Sequence, residues 1–89
     1  MPYQKYIPKV MPRDSVLKLA DAMEQQLRTN EDKPSWKTQT VDHLAVKVME
    51  SFQKANNALV VNDPDKCRHY LVNTANYIMM LRENLDELH

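Results

Sequence analysis

Residues 41–88 read VDHLAVKVMESFQKANNALVVNDPDKCRHYLVNTANYIMMLRENLDEL, and the spacing of their apolar side chains decides the fold. Val41, Ala45, Val48, Phe52, Ala55 and Leu59 recur at alternating steps of four and three, which is the seam of one helix packed along another. Cys67, Leu71, Thr74, Ile78, Leu81, Leu85 and Leu88 repeat the same alternation. Between the two runs stands Asn62-Asp63-Pro64-Asp65, a breaker followed by a restart. Asp63 is placed to cap the second run, and Pro64 falls at a first helical position, where a missing amide costs nothing. Thr40 caps the first run, with Asp42 near the positive end of its dipole. The stretch predicts two antiparallel helices joined by a short turn.

Upstream, Val16, Ala20, Met23 and Leu27 form one face of a further helix, with Asp14 as its cap and an end near Thr29–Asn30. Residues 30–35 read as a polar loop that Trp36 and Lys37 continue. Residues 1–12 hold three prolines, Pro2, Pro8 and Pro12, none of which fits inside a helix. They predict an extended arm whose Tyr3, Tyr6 and Ile7 would meet the body or a partner. The expected organisation is an arm at 1–12 and a helical domain at 13–89. The expected fold is an all-α antiparallel bundle, completed by dimerisation or tetramerisation, because three helices in so short a chain enclose little core.

Composition removes other classes. One cysteine, Cys67, cannot form an internal disulfide, and three histidines without paired spacing do not outline a zinc site. Twelve basic and twelve acidic side chains leave no net charge, so no positive field recruits nucleic acid in general. The absence of glycine removes phosphate-binding glycine loops. The opening MPYQKYIPKVMP has no apolar stretch of signal-peptide type, and no run is long enough to cross a bilayer. A cytoplasmic protein with no resident cofactor or metal is the expectation.

Beside the seam of the second helix runs Lys47, Ser51, Lys54 and Ala58; beside that of the third run His69 or Tyr70, then Asn73, then Asn76 or Tyr77. Antiparallel pairing would lay these polar stripes along one groove. The plain reading is that Asn57, Asn73 and Asn76 satisfy one another or meet solvent.

Two segments carry a resemblance. Asn30, Lys33, Trp36 and Lys37 stand as Asn-x-x-Lys-x-x-Trp-Lys, and residues 74–81 read TANYIMML. Over roughly residues 16–86 the chain resembles the MazG-like all-α nucleotide pyrophosphohydrolases, most closely the small dATP/dGTP branch common in bacteriophages. In that family paired acids on two helices hold magnesium, which bridges substrate phosphates and activates water. The resemblance puts the first pair on Ser51 and Lys54 and the second on Tyr70 and Asn73, leaving Glu50 as the one acidic position kept. Independently of any alignment, residues 47–62 contain one acid and residues 66–82 contain none. Such a chain is not expected to hydrolyse its ligand.

The replacements have chemistry of their own. Lys47 and Lys54, with Arg68 and His69, can meet phosphate directly through charge-assisted hydrogen bonds. Trp36, Tyr70 and Tyr77 offer flat faces to a base, and Asn73 and Asn76 can pair with a base edge or ribose. With Lys33, Lys37, Glu50 and Ser51 from the aligned segments, these are the candidate nucleotide-binding residues. The leading expectation is a nucleotide binder that does not cleave, in a phage setting a sponge for a cyclic oligonucleotide signal of bacterial immunity. The alternative is a protein-interaction module, an inhibitor of a host or defence protein that uses residues 1–12. An active pyrophosphohydrolase ranks third.

Overall fold

The computed structural model describes residues 7–30 and 35–88; Tyr3 and Tyr6 of the expected arm and Lys33 of the expected loop site lie outside them. Among the described residues the chain is all helical, with three helices packed together: α1 (Asp14–Thr29), α2 (Val41–Val60) and α3 (Pro64–Leu88). A single 3-10 turn, Trp36–Thr38, lies between α1 and α2. No helix here is long and apolar enough to cross a membrane.

The α2–α3 hairpin forms where the spacing predicts it. Thr40 Oγ1 accepts the His43 amide at 3.1 Å, and Asp63 Oδ1 accepts the Lys66 amide at 3.2 Å, so each helix starts on a side-chain cap. The turn between them is a Schellman closure: the Asp63 amide reaches the Ala58 carbonyl at 2.9 Å and the Asn62 amide reaches that of Leu59 at 3.1 Å. It requires a left-handed residue, and Asn62 supplies it at φ 58°. Asparagine tolerates that region better than other non-glycine residues, which lets a chain without glycine turn tightly.

Two local expectations are corrected. Asp14 is not the cap of α1 but its first helical residue; Arg13 stands at the cap and makes no side-chain bond there. Trp36 and Lys37 do not continue an open loop: Ser35 Oγ accepts the Lys37 amide at 3.3 Å and closes the 3-10 turn. α1 ends at Thr29.

The seams hold in part: Ala55, Cys67 and Thr74 are buried and Val41, Ala45, Val48 and Leu81 half-buried, but several of their large positions are not. Phe52 and Leu59 of α2, and Leu71, Ile78, Leu85 and Leu88 of α3, are exposed. The buried positions are Leu44, Ser51, Ala55 and Ala58 on α2 and Cys67, Thr74, Asn76 and Asn84 on α3. Side-chain size explains the difference. Ser51, Ala55 and Ala58 against Cys67 and Thr74 let the backbones approach, and a phenylalanine on that line would hold them apart. Ser51 is 3% exposed and its polar atom is used: it donates to the Tyr70 carbonyl at 3.2 Å, accepts from Asn73 Nδ2 at 3.1 Å and lies 3.0 Å from Thr74 Oγ1. Leu44 is the one large side chain fully buried among those described.

Helix α1 buries no residue. Of its expected stripe, Val16 and Ala20 are exposed and Met23 and Leu27 half-buried. It is fastened to α3 by amides. Asn76 Nδ2 donates to the Met23 carbonyl at 3.2 Å and to Gln26 Oε1 at 3.3 Å, and Gln26 Nε2 donates to the His69 carbonyl at 3.4 Å. A helix held this way leaves a crevice beside it.

Candidate nucleotide-binding crevice

The crevice lies between α1 and α3 and is closed at one end by the 3-10 turn. It consists of two connected hollows of about 660 and 600 Å³ that share Gln26, Asn30, Asn73 and Tyr77 as walls. Both hollows are open to solvent rather than enclosed. The first hollow ends at Asp65, Arg68 and His69; the second ends at Trp36, Asn76 and Met80.

Each wall has a local cause. Gln26 and Asn30 are four apart and share a face of α1, where Asn30 Nδ2 donates to the Gln26 carbonyl at 3.1 Å. Asn73 is held from behind by Ser51. Trp36 is held through its backbone: Asn84, 8% exposed, donates from Nδ2 to the Trp36 carbonyl at 3.1 Å and to the Gln39 carbonyl at 2.9 Å. The turn is thereby pinned to α3, and the indole becomes a wall of the second hollow.

Two polar atoms of that hollow's residues have no partner. Trp36 Nε1, a donor, and Asn76 Oδ1, an acceptor, are buried without a hydrogen bond. Such atoms are few in folded proteins, because each forfeits its bond to water. Asn76 is 3% exposed, so its amide is fixed by the two bonds its nitrogen makes to α1. The crevice has Trp36 and Tyr77 among its walls, and the two unpartnered atoms are buried behind its surface.

The expected residues divide into two groups. Trp36, His69, Asn73, Asn76 and Tyr77 line the crevice. Lys47, Glu50, Ser51, Lys54 and Tyr70 do not. Ser51 is consumed inside the α2–α3 contact. Lys47 Nζ pairs with Glu50 Oε1 at 3.6 Å, and Lys54 Nζ stands 5.6 Å from the centre of the Tyr70 ring. Tyr70 in turn meets His69 edge-on at 5.1 Å. These side chains lie along α2 and the α2-facing side of α3, beside the crevice rather than in it. Lys37 is exposed on the 3-10 turn.

Gln26, Asn30 and Asn84 belong to this region and were not expected there. Asn84 continues a stripe of α3 that runs Asn73, Asn76, Met80, Asn84 at helical spacing, and extending that stripe finds it. Arg68 is committed in part, with Nη1 2.8 Å from Asp65 Oδ1. Among the described residues no three His, Cys, Asp or Glu side chains gather closely enough to hold a metal ion. No family model, curated protein or solved structure matches this chain.

Proposed function

We propose that the chain binds a nucleotide in the α1–α3 crevice and leaves it intact, as a catalytically degenerate relative of the MazG-like pyrophosphohydrolases. The observation that carries this reading is the second hollow, whose walls include the aromatic side chains Trp36 and Tyr77 and the amides of Gln26 and Asn73. A nucleobase presents donors and acceptors along one edge and a flat face to stack, and stacking on an aromatic side chain contributes about 1–3 kcal/mol per base. At the far end Arg68 and His69 offer donors to phosphate, and Lys47 and Lys54 add positive charge on the neighbouring flank. The hydrolytic half of the family's chemistry has no counterpart, since α2 carries one acid beyond Lys47 and α3 none from Lys66 to Arg82. Retention without turnover suits a sponge that withholds a nucleotide signal, such as a cyclic oligonucleotide of bacterial immunity, and a phage anti-defence role in the bacterial cytoplasm follows. In this reading the working particle is an assembly of copies, a dimer or a tetramer.

Calorimetry against linear mononucleotides and cyclic di- and trinucleotides tests the proposal. The expected result is saturable binding of at least one class, weakened about tenfold or more by Trp36→Ala, the loss of one stacked base. No heat with any member of the panel overturns it.

A second reading, a protein-interaction module, is favoured by one observation. Ile7, Val10 and Met11 are each more than three-quarters exposed, an apolar segment with nothing packed on it. If this reading holds, a host protein captured by the full chain is lost when residues 1–12 are deleted. Nucleotide binding that survives the deletion, with no partner lost, favours the first reading.

A further inference from the structure

Hydrogen bonds within the protein decide which way the amides of the crevice are turned. Gln25 Nε2 donates to Asp21 Oδ2 at 3.0 Å, Gln26 Nε2 to the His69 carbonyl at 3.4 Å and Asn30 Nδ2 to the Gln26 carbonyl at 3.1 Å. Each of these partners is an oxygen that only accepts, so reversing the amide would set oxygen against oxygen. Thr29 Oγ1 gives its one proton to the Gln25 carbonyl at 3.0 Å, and Asn73 Nδ2 donates to Ser51 Oγ at 3.1 Å. Every amide and aliphatic hydroxyl on the walls of the first hollow is thus turned with its donor toward the protein. Gln26 Oε1 is taken in its turn by Asn76 Nδ2. Asn30 and Asn73 keep their oxygens: neither Oδ1 has a partner among the described residues, and neither is buried. These two residues belong to both hollows, so they stand where the hollows join.

We infer that this junction reads an exocyclic amino group of the bound base, with Asn30 Oδ1 and Asn73 Oδ1 as its acceptors. The inference deepens the nucleotide reading above and rests on it. The free donors of the crevice lie toward its ends: Arg68 and His69 at one, where the reading places phosphate, and Gln39 at the other. A base with its face against Trp36 or Tyr77 brings its edge to oxygens. An amino group on that edge offers two N–H donors and no acceptor, which matches them. A ring carbonyl in the same place sets oxygen against oxygen, and a bare ring carbon leaves the two oxygens without a donor once water is displaced. Adenine, guanine and cytosine carry such an amino group; hypoxanthine, uracil and thymine do not. Ser51 is a positioning residue in this scheme, since its hydroxyl holds the Asn73 nitrogen and thereby points the oxygen outward.

Calorimetry with matched pairs provides the test: AMP against purine riboside monophosphate, GMP against inosine monophosphate, and cyclic di-GMP against cyclic di-IMP. In each pair the second member lacks the amino group and is otherwise the same. The expected result is that the amino member binds about tenfold tighter in at least one pair, the worth of one hydrogen bond. Asn73→Ala narrows that gap, and Asn30→Ala combined with Asn73→Ala closes it. Ser51→Ala also narrows it, because the released amide can turn its nitrogen to the ligand. The wild-type comparison stands by itself if a variant fails to fold. Equal affinity within every pair that binds overturns the inference and leaves nucleotide binding in place. A gap that persists undiminished in the folded double variant overturns it as well, by placing the recognition elsewhere. No binding by any member overturns the nucleotide reading, and the inference falls with it.

Discussion

Replacing Asn84 separates the structural support of the crevice from its ligand chemistry. Its Nδ2 is the bond donor that ties the 3-10 turn to α3, through the carbonyls of Trp36 and Gln39. Asn84→Ala deletes both bonds. At about 1 kcal/mol net each, with half-buried carbonyls that water can reach in part, the expected loss is about 1–2 kcal/mol. For a domain of this size that lowers the thermal midpoint by about 5–15 °C. Asn84→Asp is close to isosteric but replaces the donor with a carboxylate that only accepts, set against two carbonyl oxygens in a site 8% exposed. It costs about 2–4 kcal/mol, more than truncation, since a buried charge is left facing like partial charges. Trp36 is the only tryptophan, so its emission and its accessibility to acrylamide report the turn directly. Both variants shift the emission to longer wavelength and increase quenching, with thermal unfolding followed by circular dichroism at one protein concentration. Asn84→Asp matching or exceeding Asn84→Ala in stability, or an unmoved Trp36 spectrum in both, refutes the reasoning.

Ser51→Ala removes the hydroxyl that bridges α2 to Tyr70, Asn73 and Thr74. Thr74 keeps its 2.7 Å bond to the Tyr70 carbonyl, so the loss in urea unfolding is limited to about 1–2 kcal/mol. Leu44→Ala empties the one large fully buried site among the described residues and costs about 2–5 kcal/mol in the same assay. Asn62→Gly leaves stability within a few tenths of a kcal/mol, whereas Asn62→Val, forced into the left-handed region at φ 58°, costs about 1–2 kcal/mol or more. If valine were tolerated as well as glycine there, the Schellman closure would not be what terminates α2.

Much of this architecture could be read from residue spacing. Thr40, Asp63 and Pro64 announced the starts of α2 and α3, because caps are local: a side-chain oxygen reaches an amide two or three positions away whatever the rest of the chain does. The side of each helix that faces its neighbour was harder. Apolar spacing marks a stripe but not which contact it serves, and here two contacts compete. The closest approach selects small residues, Ser51, Ala55 and Ala58, and leaves Phe52 and Leu59 exposed. Amide packing was the least legible part. Asn76 and Asn84 are buried because their nitrogens reach carbonyls about fifty residues away in sequence, a coupling that no local pattern encodes. The same long-range bonds separate Lys47 and Lys54 from the crevice, since they set α1 against α3 and not against α2.

The most direct measurement is the mass of what the protein retains. Purified chain is incubated with magnesium and a mixture of linear and cyclic nucleotides, washed by ultrafiltration, heated, and the released small molecules are weighed by mass spectrometry. Recovery of a nucleotide at its unaltered mass is the predicted result. An empty release, or a product lighter by pyrophosphate, contradicts the account.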